Sequence, residues 1–386
     1  MNITITPRTL RGEIQVIPSK SQAHRFLICA AFADRPTQIV CNESNQDIEA
    51  TVACLRALGT QIIPTDSGYS VFPIKNIPDT AVLDCNESGS TLRFMLPIVG
   101  ALGVDGTFLL KGRLANRPLS PLWEEMERMG CTLSRPTQNT IRCIGKLKKG
   151  AYIIDGSVSS QFITGLMFAH SLMDECNLTI TGKLESKPYV DLTKAALDLF
   201  PNHHSPGHVT VEGDWSNGAF WLVAASLGSD LSITGLSQES VQGDRAVVEI
   251  LQQLKTCNAT ISAADIPDLV PILSVAAAAN HGAVFTDIQR LRLKESDRVA
   301  SVIAMLEALG GSAEATQDTL TVFPSTFQGG TVDSCNDHRI AMAAAIASTI
   351  CQKTVTILGA EAVNKSYPQF WAEYRRLGGN YEQYLR

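Results

Sequence analysis

The chain has 386 residues, of which 45% are apolar and 18% charged, and its formal net charge is −6. That length points to two domains with a sizeable core, and the missing basic excess argues against a nucleic-acid partner, so any anion site must be a local cluster of cations. The ten cysteines form no Cys-x-x-Cys pair and no zinc-spaced Cys/His cluster, so reduced thiols in a cytoplasmic protein without a metal are expected.

Residues 1–5 read as a strand rather than a signal peptide. From there one element recurs six times: small polar residues, then an apolar helical run. Ser19-Lys20-Ser21 precedes 26–33, Ser88-Gly89-Ser90-Thr91 precedes 94–102, and 157–161 precedes 162–172. Asp214-Trp215-Ser216-Asn217 precedes 219–227, Pro267-Asp268 precedes 269–279, and Asn336-Asp337-His338-Arg339 precedes 340–350. The longest of these apolar runs are too short to span a bilayer.

Aligning Ser21, Ser90, Ser159, Ser216, Asp268 and Asp337 gives spacings of 69, 69, 57, 52 and 69 residues. A second helix end follows most copies and stops at a glycine, as at Gly59, Gly130, Gly310 and Gly378, with a strand-like run after it. The pattern predicts six α/β units, three per domain. Each helix start presents free N–H groups and partial positive charge, and several carry Lys or Arg, which suits a site for several anionic groups.

The cation-bearing starts support that reading in chain order. Ser21 and Arg25 are one helical turn apart and share a face, pairing a hydroxyl with a guanidinium. Gly89 allows close backbone approach, with Arg93 one turn in. The loop 111–119 holds Lys111, Arg113 and Arg117. Ser157, Ser159, Ser160 and Gln161 supply neutral donors ahead of a very apolar run, more than a simple cap needs. In Lys294-Glu295-Ser296-Asp297-Arg298, a cation in a first turn opposes the helix dipole, and Glu295 between two cations is a candidate acid/base group. His338 and Arg339 open an apolar helix, where such polar bulk has little structural reason.

Together and in order, these motifs resemble the 5-enolpyruvylshikimate-3-phosphate synthase family of enolpyruvyl transferases. The most specific pieces are 155–161, 293–298 and 336–339, joined by 186–191 and 364–368. The resemblance implies an inverse α/β barrel fold of two domains, each of three βαβαββ units. Residues 19–213 would form a domain inserted into one built from 1–18 and 214–386, with the substrates in the cleft and closure excluding water. It also implies transfer of the enolpyruvyl group of phosphoenolpyruvate to shikimate 3-phosphate by a monomer that needs no cofactor.

By the same likeness, Lys20, Ser21, Arg25, Ser159, Ser160, Gln161, Ser186, Tyr189, Asp268 and Lys294 would hold shikimate 3-phosphate. Lys20, Gly89, Arg117, Gln161, Arg298, Arg339 and Lys365 would hold phosphoenolpyruvate, with Arg93 in support. Asp268 would be the base near the 5-hydroxyl, and Glu295, with Lys20, would handle the proton at C3.

Three departures stand out. Glu87 occupies a position where many members have Asn, and a carboxylate beside phosphoenolpyruvate would repel it. Arg290 replaces an Asn that touches shikimate 3-phosphate in some members. The third repeat is short between Leu199 and Val209, so a strand pair is missing there. Rival readings are the UDP-N-acetylglucosamine enolpyruvyl transferase, with the same fold and donor, and a non-catalytic phospho-ligand-binding paralogue.

Overall fold

The structure, a computed structural model, describes residues 1–384. Among the described residues twelve α-helices alternate with short strands: α1 (Lys20–Ala31), α2 (Gln46–Ala57), α3 (Gly89–Leu102), α4 (Leu122–Arg128), α5 (Ser160–Ser171) and α6 (Lys187–Leu199). They continue as α7 (Trp215–Ser226), α8 (Val247–Leu254), α9 (Val270–Ala278), α10 (Arg298–Ala308), α11 (His338–Ala347) and α12 (Phe370–Arg376). Contacts divide the chain into two compact units, Pro18–Glu212 and Met1–Ile17 with Gly213–Arg386. Each has its own apolar core. No helix among the described residues is long and apolar enough to cross a membrane.

The second repeat shows the local plan in full. Strand Thr80–Asp84 leads through α3 to a parallel strand, Asp105–Leu109. After α4 come Cys131–Thr137 and Thr140–Gly145, a hairpin whose second arm pairs antiparallel with Asp105–Leu109. The strands therefore lie in the order first, second, fourth, third. Alternation explains the strands: Thr140–Gly145 buries Ile141 and Cys143 and exposes the residues between and beyond them. The first helix of a repeat is the inner one. All of α9 and α11 is buried, and so is most of α1 and α3, which is why those runs are apolar on every side. The glycine stops are real: Gly59 and Gly130 have φ of +102° and +111°, a conformation that side chains rarely adopt.

The first, fifth and sixth repeats keep this four-stranded order. The first borrows its opening strand, His208–Thr210, from the far end of its unit. The sixth is completed by the chain's own start, with Asn2–Thr6 between Val355–Leu358 and Asn380–Tyr384. None of the six sheets among the described residues closes into a barrel.

The third repeat has only Gly150–Asp155 paired with Cys176–Thr181, so its hairpin is missing, in line with its short spacing. The fourth is cut in the same way, with only Arg11–Gln15 paired with Asp230–Thr234. That second loss went unread, although the fourth spacing is the shortest of the five. In the first, second and fifth repeats the second residue after the hairpin ties back to the inner helix. Ile74, Leu147 and Ser325 donate their N–H to Ala31, Gly100 and Ala278 at 2.9, 2.9 and 2.7 Å. In the third repeat a side chain reaches the end of the inner helix instead, His203 Nε2 lying 2.6 Å from Ser171 O.

Candidate active site

In the unit Pro18–Glu212 the candidate residues gather at the starts of α1, α3, α5 and α6. Ser19 and Ser88 are the N-caps of α1 and α3, and Ser159 caps α5 by accepting from the Gln161 N–H. Ser21 and Ser90 therefore sit two residues inside their helices and are not equivalent to Ser159, as the sequence alignment had placed them. The Ser90 hydroxyl accepts from Gln161 Nε2 at 2.9 Å, while Gln161 Oε1 accepts from Arg93 Nη1 at 2.9 Å. Arg93 thereby fixes the orientation of the Gln161 amide and links α3 to α5.

Arg25 is buried, and its guanidinium is widely engaged. It donates to Ser21 O (2.5 Å), Thr193 Oγ1 (2.9 Å) and Tyr189 O (2.8 Å), and lies over the Phe94 ring. Burial pulls its pKa down to about 10, still fully charged at neutral pH. It anchors α1 to α6 as well as offering charge. Lys20 Nζ is 2.9 Å from Asp47 Oδ2 at the start of α2. His24, one turn on from Lys20, is held neutral by burial with a pKa of about 3, which spares this helix start a third cation. Ser186 occupies the N-cap position of α6 in a left-handed conformation (φ 55°) and is buried. A non-glycine residue held there costs of order 1 kcal/mol or more, which the surroundings must offset. A Cβ built on Gly89 would lie 2.6 Å from Arg117 Nη1 and 2.5 Å from Arg93 Nη1, so two guanidiniums meet over a glycine that no other residue could replace without displacing them.

In the other unit Asp268, Lys294, Glu295, Arg298 and Arg339 form one largely buried ionic cluster. Arg298, at the start of α10, is 1% exposed and holds three carboxylates, Asp268 at 2.6 Å, Glu295 at 2.6 Å and Asp337 at 2.9 Å. Arg339 Nη2 is 3.0 Å and Lys294 Nζ 3.7 Å from Asp268. Burial opposes ionisation of Asp268, but Arg339, Lys294 and Arg298 outweigh it and hold the carboxyl well below its ordinary range. Burial lowers Lys294 to about 8. Lys365 Nζ donates to Asn336 O at 2.8 Å. Arg298 and Arg339, expected to hold phosphoenolpyruvate, are compensated by carboxylates here, as buried charge requires.

Several participants escaped the sequence reading. Asp244 is buried, hydrogen-bonds to the Ser216 hydroxyl and is pushed up to about 7, first by burial and then by Asp268. Asp47 is the anionic partner of Lys20, and Asp337, read in the sequence only as a helix start, is one of the three carboxylates on Arg298. The signal for Asp244 was positional. It lies in a 3-10 turn between the second strand and second helix of its repeat. The turns Gly112–Asn116, Gln289–Leu293 and Ala360–Lys365 take the same place in other repeats and carry or precede Arg117, Lys294 and Lys365. Both helix starts of a repeat therefore carry candidate site residues, and the six-fold sequence pattern marked only the first kind. Arg290 is half-buried in the turn before Lys294. His204 pairs with Asp34, and no group of His, Cys, Asp or Glu among the described residues is placed to hold a metal ion.

The family model for EPSP synthase (3-phosphoshikimate 1-carboxyvinyltransferase) matches residues 5–265 and 255–374. The 3-phosphoshikimate 1-carboxyvinyltransferases of Clostridium kluyveri and Clostridium novyi are each 36% identical, covering 99% and 98% of this chain and 98% of either relative. The Clostridium kluyveri alignment runs over 424 positions against 386 residues here, a difference of at least 38, enough for two hairpins with their linkers. Among solved structures, the EPSP synthase of Acinetobacter baumannii covers 99% of the chain with a TM-score of 0.77 at 23% identity. The enolpyruvyl transferase NikO of Streptomyces tendae covers 99% with a TM-score of 0.74 at 17% identity, and both share the fold. Full-length identity above a third and a family match over almost the whole sequence place this chain in the EPSP synthase (3-phosphoshikimate 1-carboxyvinyltransferase) family.

Proposed function

We propose that this chain transfers the enolpyruvyl group of phosphoenolpyruvate to the 5-hydroxyl of shikimate 3-phosphate, releasing phosphate, as a cytoplasmic monomer with an inserted domain at 19–213. The observation that carries the reading is the cluster of Asp268, Glu295 and Asp337 around Arg298, joined by Arg339 and Lys294. It pairs acid/base groups with cations able to turn toward substrate anions. Both reactants carry a phosphate and a carboxylate, so a dense cation set must offset their repulsion and stabilise charge in the transition state. Lys20, Ser21, Arg25, Ser159, Ser160, Gln161, Ser186, Tyr189 and Lys294 would hold shikimate 3-phosphate. Lys20, Gly89, Arg117, Gln161, Arg298, Arg339 and Lys365 would hold phosphoenolpyruvate. None of them falls in either missing hairpin.

The reaction is addition followed by elimination. The 5-hydroxyl oxygen attacks C2 as C3 gains a proton, giving a tetrahedral ketal phosphate. Loss of a C3 proton and departure of phosphate then restore the double bond. Glu295, with Lys20, would give and take the C3 proton. Asp268 would orient the hydroxyl and accept its proton. A carboxylate held as strongly ionised as this one is a poor base, so its basicity must rise when Arg298 and Arg339 turn to the substrates.

The test is phosphate release from phosphoenolpyruvate plus shikimate 3-phosphate, with UDP-N-acetylglucosamine as the control acceptor, for wild type and Glu295→Gln. Release only with shikimate 3-phosphate, lost at least about 100-fold in the variant while binding persists, is expected. Release only with the sugar nucleotide, or none from folded protein that binds shikimate 3-phosphate, would overturn the reading. Near-normal turnover by Glu295→Gln would remove Glu295 from its role.

A further inference from the structure

The turn before α3 and the loop after strand Asp105–Leu109 are tied together. The Lys111 N–H donates to Asn86 O at 2.8 Å, and Lys111 Nζ lies 3.1 Å from Asp84 Oδ2. Next along the loop, Gly112 has a φ of +52°, and a Cβ built on it would lie 2.5 Å from Glu87 Oε2 and 2.8 Å from Oε1. The Glu87 carboxylate thus rests on the Gly112 backbone, a contact that any larger residue would break. Gly112 opens the 3-10 turn Gly112–Asn116, and the residue that follows is Arg117, whose guanidinium ends over Gly89 beside that of Arg93. Arg93 itself is directed to neutral acceptors, Gln161 Oε1 and Pro118 O. Two like charges meeting over one glycine repel, so where the Arg117 guanidinium sits depends on what holds its loop.

We propose that Glu87 is a positioning residue: its carboxylate clamps the Gly112–Asn116 turn to the start of α3 and so sets the Arg117 guanidinium over Gly89, ready for the phosphoenolpyruvate anion. The inference rests on the enolpyruvyl-transfer reading. It reverses the expectation that a carboxylate here only repels the donor substrate. Glu87 lies against Gly112 and acts through the loop. Losing it frees Arg117 to drift, which weakens donor binding without touching the acceptor or the proton-transfer groups.

Steady-state kinetics of five proteins test this: wild type, Glu87→Gln, Gly112→Ala, Arg117→Ala and Glu87→Gln in an Arg117→Ala background. Glu87→Gln should raise KM for phosphoenolpyruvate about tenfold, with kcat and KM for shikimate 3-phosphate within about twofold of wild type. Gly112→Ala should reproduce the effect, because its methyl group displaces the carboxylate. In the Arg117→Ala background the Glu87 substitution should add nothing further, since Glu87 acts only through that arginine. An unchanged donor KM in Glu87→Gln, a parallel rise in both KM values, or the same increment with Arg117 absent would each overturn the proposal. Wild-type protein that releases no phosphate would overturn the enolpyruvyl-transfer reading and this inference with it. Active wild type with an unaffected Glu87→Gln removes this inference alone.

Discussion

Charge compensation governs this protein residue by residue. Asp244 and Asp268 show how one cluster can hold two carboxylates in opposite states. Asp268 has three cations and stays ionised, while Asp244, buried behind it with the Ser216 hydroxyl, is raised to about 7. This has a thermodynamic consequence. The folded pKa of Asp244 lies above its ordinary 3.8, so from about pH 4 to 7 the folded chain keeps a proton that the unfolded chain has shed. Stability from this group is therefore full below pH 4, falls as pH rises to about 7, and is level above it. Asp244→Asn should flatten the curve across that window by up to about 1.4 kcal/mol per pH unit. Urea unfolding of both proteins from pH 5 to 8.5 measures it. Parallel curves would mean that Asp244 is ionised throughout.

Among the elements, the site depends on how closely the inner helices approach. A Cβ built on Gly165 in α5 would lie 2.1 Å from Arg93 O and 3.1 Å from Pro97 Cγ in α3. Backbone cannot yield as a side chain can, so Gly165→Ala must push α5 away from α3. Overpacking of this kind costs about 1–3 kcal/mol. It also lengthens the 2.9 Å bond from Arg93 to Gln161. The expected result is a lower urea midpoint together with a raised KM for phosphoenolpyruvate. A loss of stability with unchanged KM would show that the Arg93–Gln161 bond does not position the donor.

How far the sequence could be read also becomes clear among the elements. The starts of six first helices and the glycine stops of four second helices were legible because apolar periodicity and capping are local. The pairing of Arg298 with Asp268 and Asp337, 30 and 39 residues away, was not, because no local pattern encodes which carboxylate faces which cation. The two-residue offset of the caps Ser19 and Ser88 from Ser21 and Ser90 escaped for a related reason, since either serine could cap. The missing fourth hairpin was written in the spacing, but motif counting passes over what is absent.

Over the whole molecule, each unit carries one repeat reduced to two parallel strands. Strand Asp105–Leu109 of the complete second repeat is bonded on both edges, to Thr80–Asp84 and Thr140–Gly145. Its counterpart Cys176–Thr181 is bonded on one, to Gly150–Asp155. An open edge invites pairing with another chain, and natural proteins blunt such edges with short strands and polar side chains. Cys176–Thr181 follows that rule, exposing Asn177, Thr179 and Thr181 while half-burying Leu178 and Ile180. Amides on its outer edge need no sheet opening to exchange, whereas those of Asp105–Leu109 exchange only after an opening that costs several kcal/mol. Hydrogen exchange should therefore run roughly a thousandfold faster on the outer edge of Cys176–Thr181 than in Asp105–Leu109, at a rate independent of protein concentration. Equal protection that fades on dilution would mean that a second copy of the chain covers this edge. The working protein would then be an oligomer, and the lost hairpin would have been replaced by an intermolecular strand.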